Sequence, residues 1–199
     1  MKRMLFLLAA LLTLSASGAQ ERAQSLLRRL AATLGELEPY EVVFEVATER
    51  GPVAGRYRVD GDRYYMQVGR AEVYGDGECR REIDPSRREV VVDHADLSSR
   101  NLLNNPTRAF DFVGEEYDFA ASDAGAGRVE VVMTPRRAGS VVERILVEVD
   151  AASALPSSVT YEVDGDRIRI AILSVGKSAE PVRRFDAARY AGFEIIDFR

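Results

Sequence analysis

The sequence predicts a mainly β domain with few helices (α+β), in which one leading helix precedes a long antiparallel sheet that has to curl. Three observations carry this. The apolar period changes from near 3.6 to 2 at Pro39, hairpin signals then recur along the chain, and a single non-strand stretch interrupts them over residues 96–113. Every connection is short, which calls for antiparallel pairing. Around ten strands in one sheet must curl, close or split.

The first residues read as a targeting segment. Met1, Lys2 and Arg3 give a positive start, residues 4–14 are almost unbroken apolar, and Ser17-Gly18-Ala19 offers small residues where a signal peptidase cuts. The expectation is a cleaved signal peptide over residues 1–19 and one domain over residues 20–199. An uncleaved anchor is the alternative, although the run is shorter than the ~20 apolar residues a bilayer span needs. No cysteine follows the run, so the acceptor thiol of a bacterial lipoprotein is missing.

The chain has 199 residues and a formal charge of −5, which becomes −7 once Lys2 and Arg3 are removed. That balance argues against nucleic acid as a partner and against passive adhesion to anionic lipid surfaces. Cys79 is the only cysteine, so no internal disulfide forms and the fold rests on its core.

Along the chain, residues 21–35 predict a helix, with Leu26, Leu27, Leu30 and Leu34 on one face and Pro39 barring continuation. Strands are predicted over 40–47, 53–60, 63–68, 72–74, 79–84 and 87–93. After the interruption they resume over 117–121, 127–134, 142–150, 157–164, 167–174 and 193–198. Asp60-Gly61-Asp62 and Asp164-Gly165-Asp166 are hairpin turns, because glycine supplies the positive φ that tight turns require. Asp123 to Gly127 reads as a loose loop and 181–192 as irregular. Asn105 caps and Pro106 opens a short helix over 107–113.

Catalytic and metal chemistry find little support. His94 is the only histidine, in Asp93-His94-Ala95-Asp96, whereas a zinc site draws three or four ligands. The plainer reading is an exposed loop histidine. Ser98 and Ser99 lack a nucleophile-elbow context. The two Asp-Gly-Asp turns lack the remainder of a calcium loop. No catalytic residue, metal or cofactor is assigned.

The alternating apolar side chains are the candidate binding surface: Val42, Phe44, Val46, Tyr57, Val59, Tyr64, Met66, Val68, Val90, Val92, Val131, Met133, Ile145, Val147, Val159, Tyr161, Ile168 and Ile170. Periodicity alone does not distinguish a filled core from a cavity that admits a guest.

Several segments together resemble a known family. Gly75-Asp76-Gly77-Glu78, Ile83-Asp84-Pro85 and Glu89-Val90-Val91-Val92 look like the paired hairpins of the outer-membrane lipoprotein carrier proteins, the LolA type. Phe185-Asp186, Tyr190 and the run from Gly192 to Asp197 resemble that family's closing segment, with most likeness to the shorter Bacteroidetes-type versions. Asn105-Pro106-Thr107 falls where the family has a Pro-bearing lid helix. The resemblance implies an incomplete, curled antiparallel β-barrel with helices over its open mouth. It implies a monomeric periplasmic carrier that takes acylated lipoproteins or lipid from an inner-membrane lipoprotein-releasing transporter to an outer-membrane acceptor. A carrier of another lipid or glycolipid, or a lipoprotein-sensing regulatory module, would share the fold. By position, Leu102, Leu103, Phe110 and Phe112 would be the lid's apolar face. This sequence departs from the family at Arg81, preceded by Arg80, where the family usually shows Trp. Its lid-holding Arg has only Arg56 and Arg58 as candidates.

Overall fold

The computed structural model describes residues 2–112 and 116–199. One helix, α1 (Lys2–Leu37), precedes twelve strands. These are β1 (Tyr40–Val46), β2 (Val53–Asp60), β3 (Arg63–Val68), β4 (Ala71–Gly75), β5 (Cys79–Asp84) and β6 (Glu89–His94), then β7 (Tyr117–Gly125), β8 (Arg128–Pro135), β9 (Val142–Asp150), β10 (Pro156–Val163), β11 (Asp166–Lys177) and β12 (Glu194–Asp197). Hydrogen bonding joins them in the order β12-β6-β5-β4-β3-β2-β1-β11-β10-β9-β8-β7, so the sheet has two edges and does not close. The expected class, an antiparallel sheet with an N-terminal helix, is the one observed.

The chain divides into two compact units, Met1–Ala32 with Phe112–Arg169, and Thr33–Asp111 with Ile170–Arg199. In the first, Ala23, Leu26, Leu27 and Leu30 of α1 are buried, at the spacing of one helix face. Arg29 reaches the turn between β9 and β10, donating from Nη2 to the carbonyls of Ala151 and Ala152, each at 3.4 Å. Strands β7 to β10 pair as successive hairpins. In the second unit, β1 to β6 form an antiparallel meander, and β1 also pairs with the later part of β11.

Four sequence expectations change. The helix is longer than the predicted 21–35, because no proline interrupts the chain before Pro39 and Gly18 and Gly35 alone do not stop it. Asp123-Ala124-Gly125 is strand, not loose loop. β7 runs to Gly125, and positive φ at Gly125, Ala126 and Gly127 turns the chain tightly into β8. The lid helix predicted over 107–113 is only a 3-10 turn, Pro106–Arg108. Asn105 makes no side-chain cap there, its Oδ1 instead accepting from the Thr107 hydroxyl. Val113 lies outside the described residues.

The fourth change concerns β12, which pairs with β6 in parallel: Glu194 opposite Glu89, Ile195 opposite Val90, Ile196 opposite Val91. A parallel neighbour needs a crossover of about a dozen residues or more. Residues 178–193 supply it by returning across one face of the sheet, with Ala187–Tyr190 as a 3-10 turn capped by Asp186.

Candidate functional site

In the second unit, pairing register sorts side chains by face. Val42 lies opposite Tyr57, Tyr57 opposite Met66 and Met66 opposite Val73. Tyr40, Phe44, Val46, Val59, Tyr64 and Val68 share that face, and Ile170 joins it through its pairing with Val46. All are buried except Val68, which is half-buried. Two glycines leave room for aromatic rings on this surface. A Cβ built on Gly55 would overlap the Phe44 ring, and one on Gly75 would overlap the Tyr64 ring. Tyr57 then packs between Tyr40 and Phe44, with ring centroids 6.3 and 5.9 Å apart.

Residues 95–111 cover part of this face. Their 3-10 turn approaches β2 and β3. The Tyr64 hydroxyl donates to the Asn104 carbonyl at 3.1 Å, and burial pushes its phenol above the ordinary value, keeping it a donor. Leu102, Ala109 and Phe110 are buried and Leu103 is half-buried. The segment has little regular structure and is held together by its own side chains. Asn105 Nδ2 donates to the Asp96 carbonyl at 3.0 Å, and Arg108 pairs with Asp111 at 2.6 Å. A small cavity of about 110 Å³ lies at its margin, lined by Asp62, Tyr64, Leu97, Asn105 and Arg108 among others. Phe112, the fourth lid candidate, belongs to the other unit, where its ring meets Tyr117 edge-on at 6.4 Å.

The first unit has an apolar face of its own. Val131, Val147 and Val159 form one row, and Met133, Ile145 and Tyr161 the next. All six are buried, whereas Ile168 is half-buried.

Val90 and Val92 do not belong with the other candidates. They pair with Ile83 and Arg81, and Arg81 lies opposite Tyr74, so they occupy the reverse face. In the run Val90-Val91-Val92 no polar residue sets the alternation, and Val91 is the one whose register matches Met66. On the reverse face Tyr65, Tyr74, Ile83, Val90 and Val92 form a second core, with Val182, Phe185, Tyr190 and Phe193 of the crossover packed on it. Phe185 and Tyr190 stack at 5.5 Å with 8° between their planes.

Glu72 is the polar centre of this second core. It accepts from the hydroxyls of Tyr65 and Tyr190, each at 2.6 Å, and pairs with Arg183 at 3.2 Å. Burial alone would raise its carboxyl, but the Tyr190 and Tyr65 hydrogen bonds and the nearby arginines outweigh it, leaving Glu72 below the usual carboxylate range. Burial, then the bonds to Glu72, hold both phenols well above their ordinary value. A depressed carboxyl adds stability that is present above its unfolded pKa and lost as pH falls through the folded one. Raised phenols add stability below about pH 10 that is lost as pH rises. Amides of β12 are therefore expected to stay protected from hydrogen exchange between about pH 5 and 10 and to lose protection on both sides. Protection that does not vary with pH would contradict the Glu72 anchor.

Register also places the four arginines whose roles the sequence leaves open. Arg81 is on the reverse face, paired with Asp76 at 2.6 Å, while Arg80 is on the Met66 face, paired with Glu82 at 2.8 Å. Arg56 and Arg58 alternate with Tyr57 and therefore point away from the covering segment. Arg58 instead bridges Glu41 at 2.5 Å and Glu180 at 2.6 Å. His94 is exposed at the end of β6, and among the described residues no group of three or more His, Cys, Asp or Glu is placed to hold a metal. Sequence reasoning misses the reverse-face core because Tyr64-Tyr65 puts an aromatic on each side of β3. The aromatics at 185, 190 and 193 are its available signal.

No family model and no curated protein matches this sequence. Solved structures do. An uncharacterized conserved protein from Thermus thermophilus is 8% identical with a TM-score of 0.56, over 88% of this chain and 99% of that one. LprF from Mycobacterium bovis is 15% identical with a TM-score of 0.47, over 83% and 97%. A LolA superfamily protein from Nitrosomonas europaea is 10% identical with a TM-score of 0.41, over 85% and 97%. The likeness to the Thermus protein is one of fold.

Proposed function

We propose that this chain is an exported carrier that shelters the acyl chains of lipoproteins or lipids on the apolar face of β1 to β3 and carries them across the periplasm. In this reading residues 1–19 are removed on export and residues 20–199 are the working domain. The carrying observation is that Leu102 and Phe110 are buried in a segment with almost no regular structure, tied to β3 where Tyr64 meets Asn104. The backbone hydrogen bonds of Ser99, Asn104, Asn105, Arg108, Ala109 and Asp111 are made within the segment, so the cover can swing aside without breaking them.

The physical demand fits this arrangement. Each buried methylene is worth about 0.8 kcal/mol, so an acyl chain of about fifteen costs on the order of 12 kcal/mol to expose. A carrier must cover that surface completely and still release it. The motif order around Gly75–Glu78, Asn105-Pro106 and Gly192–Asp197 adds the likeness to lipoprotein carriers, and with it a releasing transporter and an outer-membrane acceptor as partners. No reaction is assigned to the chain.

Purification of the protein from its native host, followed by solvent extraction and mass spectrometry, tests the reading. Acylated peptide or lipid at near-stoichiometric yield is expected. Protein that is reproducibly empty, and that fails to bind added acyl chains, would overturn it.

A further inference from the structure

The crossover segment does more than seal the reverse face. Where it passes over β3 to β5 it leaves a cavity of about 280 Å³, whose lining includes Arg63, Asp76, Arg81, Arg183, Arg184 and Phe185. Four guanidinium groups thus face one carboxylate. Two of them are fixed. Arg81 is paired with Asp76 and lies 5.4 Å from the Phe185 ring centroid, and Arg183 lies 4.7 Å from the Tyr65 centroid and is paired with Glu72. Asp76 is itself committed, its other oxygen accepting from the backbone N–H of Cys79 at 2.8 Å and of Glu78 at 3.1 Å. The side chains of Arg63 and Arg184 make no hydrogen bond or ion pair among the described residues.

We propose that this cavity is an anion site that takes a phosphoryl group. Guanidinium forks match phosphate oxygens in pairs, and stacking on Phe185 and Tyr65 removes much of the entropy cost of ordering two of them in advance. The volume falls just below the usual range for drug-sized ligands, which suits a small anion or a single headgroup. The site belongs to the reverse face of β3 to β5, with Tyr74 and Arg81, not to the Met66 face. It stands or falls independently of the acyl-carrier reading. Two sources would present the same chemistry, a soluble phosphate compound or the headgroup of an anionic phospholipid.

The test uses the full mature chain and two probes. One is inorganic phosphate by calorimetric titration. The other is sedimentation with phosphatidylcholine vesicles with and without phosphatidylglycerol. Each is run on the native protein and on the R63Q/R184Q double variant; both side chains are exposed, so an unchanged melting temperature is expected and is checked first. Saturable phosphate binding that weakens at least tenfold in the variant supports the site with a soluble source. Binding only to the phosphatidylglycerol vesicles, lost in the variant and weakened by salt, supports it with a headgroup source. Binding of neither probe, or equal binding by the variant, overturns it.

Discussion

Replacing Phe44 by alanine is expected to lower the unfolding free energy by about 3–5 kcal/mol, the usual cost of deleting a buried phenyl ring. That is a large share of the roughly 5–15 kcal/mol that holds a typical domain together. Phe44 is fully buried and its ring lies on Gly55 and against Tyr57. The same geometry couples the two positions. Gly55→Ala in the native background is expected to cost about 1–3 kcal/mol by overpacking. The three atoms nearest the added methyl all belong to Phe44, so the penalty should largely vanish in the Phe44→Ala background. Denaturant titration of the four proteins measures this. Strictly additive costs would contradict the close approach of the Phe44 ring to Gly55.

The second large effect concerns the crossover. Glu72→Ala removes one acceptor from two phenols and a guanidinium at once. Hydrogen bonds to a charged group contribute about 1.5–3 kcal/mol each in favourable settings, less where solvent reaches them. The combined loss is expected to be about 2–4 kcal/mol. It should be concentrated in residues 182–197, while β1 to β3 keep their exchange protection. Tyr65→Phe and Tyr190→Phe are expected to cost about 1 kcal/mol each, and neither should add much once Glu72 is gone. Hydrogen exchange followed by mass spectrometry resolves the segments. A uniform loss of protection over the whole chain would contradict a separately anchored crossover.

How much of this is legible in the sequence differs from element to element. β3, β5 and β9 begin and end where alternation and flanking turns place them, and in β5 Arg80, Glu82 and Asp84 mark one face at every second position. Val42, Phe44, Tyr57 and Met66 share a face for the same reason. Val90-Val91-Val92 offers no such mark, and alternation assigns the wrong members of the run to that face. The parallel placement of β12 is hidden, since a four-residue strand says nothing about which edge it joins. Asn105-Pro106 does signal a helical entry, but the bonds it makes, to Asp96 and Thr107, hold a loop instead of extending a helix. The arginine cavity is beyond reach, because its residues come from three segments that only the folded crossover brings together.

The carrier reading requires the guest to lie on the Met66 face of β1 to β3. A long-chain fatty acid with a photoreactive diazirine near its end, irradiated with the protein and mapped by peptide mass spectrometry, reads this directly. Labelling on Val42, Phe44, Tyr57 or Met66, competed away by unlabelled fatty acid, is the expected result. Labelling confined to Val90, Val92 and the crossover, or none that competitor removes, would contradict it.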